Sequence, residues 1–228
     1  MKARNIFLTL SLSIFALSSC DTTEPVDPVD PTPGPALVVV NSNVTSNTTW
    51  YSDTTYQLGS RVSVESGATL TIQPGTVIKG EAGAGANATA LVVARGAKLM
   101  AQGTASAPII FTSVADELTP DDVASGNFAS PNLDPTINGL WGGVIILGNA
   151  KISASNSAGD VSEVQIEGIP TSDANGLYGG TDDADNSGTL QYISIRHGGT
   201  NIGAGNEING LTMGGVGTGT VIENIEVV

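Results

Sequence analysis

The sequence predicts an all-β protein built as a stack of coils with three short strands to a coil, and three observations predict it. The first is composition. Of 228 residues, 29 are Gly and only 4% are aromatic, while Ser, Thr, Asn, Val and Ile dominate the remainder, a mix suited to short strands and tight turns. The second is repetition. Gly67-Ala68-Thr69-Leu70-Thr71-Ile72 matches Gly96-Ala97-Lys98-Leu99-Met100-Ala101 and again Asn149-Ala150-Lys151-Ile152-Ser153-Ala154, each copy in the same orientation. The third is alternation. Leu70/Ile72, Val164/Ile166 and Ile193/Ile195 repeat at period 2, so each segment buries one side and solvates the other.

Each copy is followed by a second apolar strand, Val77-Ile78 after the first and Ile109-Ile110-Phe111 after the second. A third strand closes the coil, Ala90-Leu91-Val92-Val93-Ala94 for the first and Trp141 to Leu147 for the second. The third coil is expected to continue through Val164-Gln165-Ile166 and Leu190 to Ile195, with further strands at Gly210 to Met213 and Val221 to Val228. Stacked coils pair each strand with its neighbours above and below, so edges remain only at the two ends. The expected fold is a right-handed parallel β-helix over residues 37–228. A β-sandwich would need antiparallel hairpins between copies, and the shared orientation argues against it.

The N-terminus reads as an address. Lys2 and Arg4 precede an apolar run from Ile6 to Leu17, too short and too interrupted by Ser and Thr to span a bilayer permanently, which marks residues 1–19 as a signal peptide. Leu17-Ser18-Ser19-Cys20 has the form of a lipobox, and Cys20 is the only Cys in the chain. Acylated after cleavage, Cys20 would fix the protein to a membrane, each buried methylene contributing about 0.8 kcal/mol. Residues 20–36 read as an acidic, Pro-rich linker (DTTEPVDPVDPTPGP from Asp21 to Pro35), expected to be disordered, stiff and solvated because Pro favours extended backbone and the acids repel one another. The protein is thus expected to be exported and lipid-anchored to the cell envelope, at the outer membrane or cell surface. Its formal net charge of −14 disfavours nucleic acid as a partner.

Four strings carry a family likeness: Gly67-Ala68-Thr69-Leu70-Thr71-Ile72-Gln73-Pro74-Gly75-Thr76, Gly139-Leu140-Trp141-Gly142-Gly143, Tyr178-Gly179-Gly180-Thr181-Asp182-Asp183 and Ile195-Arg196-His197-Gly198-Gly199. Through them the body, from about Val38 onward, resembles the right-handed parallel β-helix (pectin-lyase-like) surface lipoproteins of Bacteroidetes-type bacteria. The resemblance implies an envelope location without implying catalysis. It also implies further coils, since such proteins run on past a strand like Val221 to Val228. The chain is therefore expected to be a C-terminally truncated piece whose uncapped last coil invites end-to-end association.

Insertions are expected at one corner only, between the second and third strand of each coil: Gly80 to Thr89, Ser113 to Gly139 and Gly168 to Gly188. Stacked, they would form one acidic ligand face bearing Asp116, Asp121, Asp122 and Asp173. Within it, Asp183-Ala184-Asp185-Asn186-Ser187-Gly188 copies the first half of a calcium loop, and with Asp182 supplies hard oxygen ligands for Ca²⁺. Ser194 at the twelfth position excludes a complete EF-hand. Polysaccharide lyases of this fold hold calcium with Asp and use a basic residue to abstract a proton, which singles out Arg196 as the one catalytic candidate, by analogy. His197 is the sole histidine, so zinc sites and Ser-His-Asp hydrolysis are poorly supported. The leading expectation is a non-enzymatic β-helix, with Ca²⁺ as a candidate stabilising ligand, that presents its loops to glycans or surface proteins. A calcium-dependent polysaccharide lyase and a structural spacer are the alternatives.

Overall fold

The computed structural model describes residues 36–203 and 206–228, over which the chain is a parallel β-helix. The expected signal peptide, Cys20 and the expected linker up to residue 35 lie outside the described residues. In chain order the strands are β1 (Ala36–Val40), β2 (Thr48–Trp50), β3 (Thr54–Leu58), β4 (Arg61–Val64), β5 (Thr69–Ile72), β6 (Val77–Gly80), β7 (Ala90–Val93), β8 (Lys98–Gln102) and β9 (Ile109–Ser113). Helix α1 (Pro120–Ala124) precedes β10 (Gly143–Leu147). Short strands β11 (Ala154–Asn156), β12 (Gly159–Val161), β13 (Val164–Gln165) and β14 (Leu177–Tyr178) lead to the long β15 (Gly188–Ile195). The chain closes with β16 (Asn201–Gly203), β17 (Asn206–Glu207), β18 (Leu211–Gly214) and β19 (Val221–Val227).

Three faces result. Face 1 stacks β2, β5, β8 and the first halves of β15 and β19. Face 2 stacks β1, β3, β6, β9 and the second halves of β15 and β19. Face 3 stacks β4, β7, β10 and β18. All of these pairings are parallel, so one register position repeats up the stack. Trp50, Ile72, Ala101, Leu190 and Ile222 lie over one another on face 1, as do Tyr56, Ile78, Phe111 and Ile195 on face 2. These columns and Val62, Leu91 and Val144 of face 3 fill one central core, each buried aliphatic contributing about 1.5–3 kcal/mol. The Gly-Ala pairs of the repeated strings make the corner before face 1. Gly67 (φ 87°) and Gly96 (φ 81°) take left-handed backbone that a side chain would oppose, and the Gly67 amide donates to the Gly96 carbonyl at 3.0 Å.

The third repeat departs from the expected ladder. Asn149 to Ala154 is not a face 1 strand. Residues 149–187 leave the stack as an arm between β10 and β15, in which β11 pairs antiparallel with β12 and β13 with β14. Face 1 resumes at Gly188, paired with Leu99, so Leu190 to Ile195 supplies faces 1 and 2 of the next coil and not a third strand. Insertions therefore occupy two corners. Residues 81–89, 114–142, 196–203 and 206–210 lie between faces 2 and 3, whereas the arm lies between faces 3 and 1. The expected single acidic face is split between them.

Both insertions cover apolar residues that point outward from the coils. Leu118 and Val123, with Phe128 at the margin, pack on Val77 and Ile110 outside face 2. Ile166, Ile169 and Tyr178 of the arm, with Ile208, pack on Ala90, Val92, Ile145 and Leu147 outside face 3. This accounts for the apolar runs Ala90 to Val93, Ile109 to Phe111 and Val144 to Leu147, whose strands are buried on both sides. Among the described residues the outside of face 1 carries no such cluster.

Candidate functional site

The loop over face 2 is organised by one buried carboxylate. Asp116 is 1% exposed and accepts hydrogen bonds from Thr112 Oγ1 at 2.7 Å, the Leu118 amide at 3.0 Å and Ser130 Oγ at 2.8 Å. Three donors satisfy it without a metal. Lys79 Nζ donates to the Asp116 carbonyl at 2.5 Å. Burial lowers the Lys79 pKa, opposed by the negative charges of Asp116, Asp122 and Glu117. Asp122 serves a capping box at the start of α1, its carboxylate accepting from the Thr119 amide and hydroxyl while Thr119 Oγ1 accepts from the Asp122 amide. Those bonds hold its pKa below the ordinary value. Asp121 lies beside it at the margin of a separate groove with Asp53 and Ser106.

Arg196 fastens this loop to the sheet. Its Nε donates to Ser194 Oγ at 2.7 Å and its Nη1 to the Phe128 carbonyl, while Nη2 lies 3.7 Å from the Glu226 carboxylate. Ser194 Oγ in turn donates to Glu226 at 2.5 Å. The side chain is 14% exposed. His197 turns the chain in a left-handed conformation (φ 56°), and its Nδ1 donates to the Ile137 carbonyl at 2.6 Å. A carbonyl cannot donate, so Nδ1 carries the proton, and Nε2 is buried without a partner among the described residues. Two cavities flank the Arg196–Glu226 pair. One of about 200 Å³ is lined by Leu133, Pro135, His197 and Val228, and the other, of about 290 Å³, by Thr104, Phe128, Tyr192 and Asn224.

The second corner holds the remaining sequence candidates. Asp183 accepts from the Lys151 amide at 3.0 Å and from Lys151 Nζ at 2.8 Å, and these bonds lower its pKa while raising that of Lys151. Asp185, 8% exposed, accepts from Asn149 Nδ2 and Ser187 Oγ, and Asp182 accepts from the Ala184 amide. Asp173 accepts from the Asn175 amide and lies 3.5 Å from Arg61. The three carboxylates of the calcium-like string thus turn to separate protein donors. Among the described residues no group of three or more Asp, Glu, His or Cys converges on a point. Nor does the structure join the string to Arg196, since the two lie at opposite ends of β15. Beside the arm an open polar groove of about 420 Å³ is lined by Ser66, Arg95, Asn149, Glu163, Thr181 and Asp182.

A family profile described as a pectate-lyase-like β-helix domain matches residues 42–126 and 128–228. The chain belongs to the pectate-lyase-like β-helix family. No curated protein matches it, and no solved structure does. Within this pectate-lyase-like β-helix, two groups of residues escaped the sequence reading. Arg61 and Arg95 tie down the arm, Arg95 Nη1 donating to Glu163 at 2.5 Å and to the Gly179 carbonyl at 2.6 Å. Nothing local in the sequence announces such distant partners. Tyr192 was the other omission. A signal for it exists: inward residues run Leu190, Ile193, Ile195 and again Ile222, Ile225, and the step of three breaks period 2 where the strand must bend.

Proposed function

We propose that this pectate-lyase-like β-helix is an exported lipoprotein, acylated at Cys20, that holds loop-walled grooves away from the envelope to bind glycans without cleaving them. One observation carries the non-catalytic reading. The groups a lyase would use are each engaged by protein partners, Arg196 by Ser194, Phe128 and Glu226 and the Asp182 to Asp185 carboxylates by amides, hydroxyls and Lys151, while the grooves beside them stay open. Hydroxyl, amide and paired charged groups on such walls suit a polyhydroxylated ligand. The acidic linker favours a body held off an anionic membrane surface.

The test uses the full acylated chain in detergent, titrated with a library of soluble glycans. Saturable binding with unchanged polymer length is expected. An ultraviolet-absorbing unsaturated product from an acidic polysaccharide, lost in Arg196→Ala, would establish the lyase reading instead. Anchoring is read separately: Cys20→Ala is expected to move the protein from the detergent phase to the aqueous phase.

A further inference from the structure

We propose that Tyr192 is the stacking platform of a sugar subsite on the outside of face 2 that takes one neutral hexose ring. The proposal rests on the glycan-binding reading and adds its location and ligand class.

The argument starts from the corner between faces 1 and 2. In β15 and β19 the chain turns this corner on a single residue, Tyr192 (φ 48°) and Asn224 (φ 54°), which stack in register between the pairs Gln191/Glu223 and Ile193/Ile225. Left-handed backbone is tolerated by Asn and opposed by a bulky aromatic side chain. The conformation at Tyr192 is enforced by the coil before it. The Gly103 amide donates to the Gln191 carbonyl at 2.9 Å, and a Cβ at Gly103 would stand 2.6 Å from the Tyr192 carbonyl oxygen. A strained residue that its surroundings over-determine, where the next coil uses a cheaper one, points to a use for the side chain.

Tyr192 lines a groove in which such a use is open to it. Tyr192 is 39% exposed and joins none of the buried clusters. The preceding corner is longer than one residue: Thr104 and Ala107 pair as a bridge, so Thr104, Ala105 and Pro108 form one wall of the 290 Å³ groove, with Phe128 from the loop also lining it. Asn224, Ser194, Arg196 and Glu226 supply its polar lining. The volume is at the small end for ligand sites, room for one ring and not for a long chain. Arg196 and Glu226 neutralise each other, so the groove offers a balanced set of donors and acceptors and selects against net charge on the ligand. An aromatic face beside such groups suits a pyranose, apolar on its C–H face and hydroxylated at its rim.

The experiment titrates the full chain with methyl glycosides of neutral hexoses, of a hexuronic acid and of a hexosamine, following ligand signals by saturation-transfer NMR, and records thermal unfolding. Neutral glycosides are expected to bind saturably and the charged ones more weakly. Tyr192→Asn, which installs the residue of the next coil, is expected to weaken neutral-sugar binding on the order of tenfold while leaving the melting temperature equal or higher. Tyr192→Phe should keep most of the affinity. Unchanged binding in Tyr192→Asn overturns the subsite and leaves the glycan reading standing. A lower melting temperature with unchanged binding shows Tyr192 to be a packing residue. Preference for the uronide overturns the neutral-ligand assignment, and no saturable binding by any glycoside or longer glycan removes both readings.

Discussion

Gly80→Ala offers the sharpest test of how the core is packed. Gly80 faces inward on β6 beneath Trp141, and a Cβ built there falls 2.5 Å from Trp141 Cε3, 2.7 Å from Cδ2 and 2.9 Å from Cβ. Trp141 is fully buried, lies within the central cluster and is held by its Nε1 donating to the Arg196 carbonyl at 2.8 Å. The ring therefore has little room to retreat. Overpacking costs about 1–3 kcal/mol, and these contacts on rigid ring atoms place Gly80→Ala at the upper end. For a body of this size about 2–3 kcal/mol lowers Tm by about 5–10 °C. The assay is thermal unfolding by far-ultraviolet circular dichroism on Gly80→Ala, Trp141→Leu and the double variant. Trp141→Leu alone should cost about 3 kcal/mol through the cavity it opens. In the double variant the new methyl occupies part of that cavity, so the combined loss should fall short of the sum by at least about 1 kcal/mol. A Gly80→Ala protein that melts with the wild type, or a double variant whose losses simply add, would refute the packing argument.

Further outcomes follow from the same contacts. Asp116→Ala removes the acceptor shared by Thr112, Leu118 and Ser130; it should cost about 2–4 kcal/mol and make residues 117–139 cleavable in limited proteolysis. Arg95→Ala should speed hydrogen exchange in residues 150–186, and high salt should do part of the same to the wild type, because the Arg95–Glu163 pair is partly exposed. The carboxyl groups of Asp122, Asp134 and Asp183 have lowered pKa values in the fold. Their contribution is complete above the ordinary value of 3.8 and is lost as pH falls through the lowered folded values. Acid should therefore loosen the two insertions before the central stack, as read by exchange or proteolysis across that window. Removing calcium with a chelator should leave Tm unchanged, and a clear downward shift would restore a cation site to the Asp182 to Asp185 turn.

The ladder was legible where local pattern and long-range pairing agree. The strings at Gly67 and Gly96 fall on β5 and β8 because each combines a left-handed Gly, a buried Ala and alternating inward residues, and their pairing partners stand one coil away. The string at Asn149 carries a similar pattern yet joins none of the three stacked faces. Its Lys151 amide and side chain turn to Asp183, and Gly188 to Gln191 takes the place on β8. A string cannot report that a better partner for β8 lies far downstream. Site chemistry was legible only as residue types. Asp183 and Asp185 stand at calcium-like spacing, but whether their oxygens meet at one point depends on Lys151, Asn149 and Ser187, which bind them apart. Arg196 was singled out as a catalytic candidate by analogy alone, and the partners that occupy it, Phe128 and Glu226, come from distant segments.

Where the arm leaves the stack, the chain also acquires a seam in its folding. Gln191 meets Glu223 across a sequence separation of 32, a distance typical of neighbouring coils, whereas Gln102 meets Gln191 across 89. Closing the longer loop costs about 1 kcal/mol more in chain entropy, a small sum in equilibrium but one that delays the contact, since distant pairings form late. Strands β2 to β10 can zip together coil upon coil, whereas β15 must wait for the arm to be spooled out before it finds β8 and β9. The body is thus divided into an early block ending at Leu147 and a later one that docks upon it, and partial opening should begin along that line.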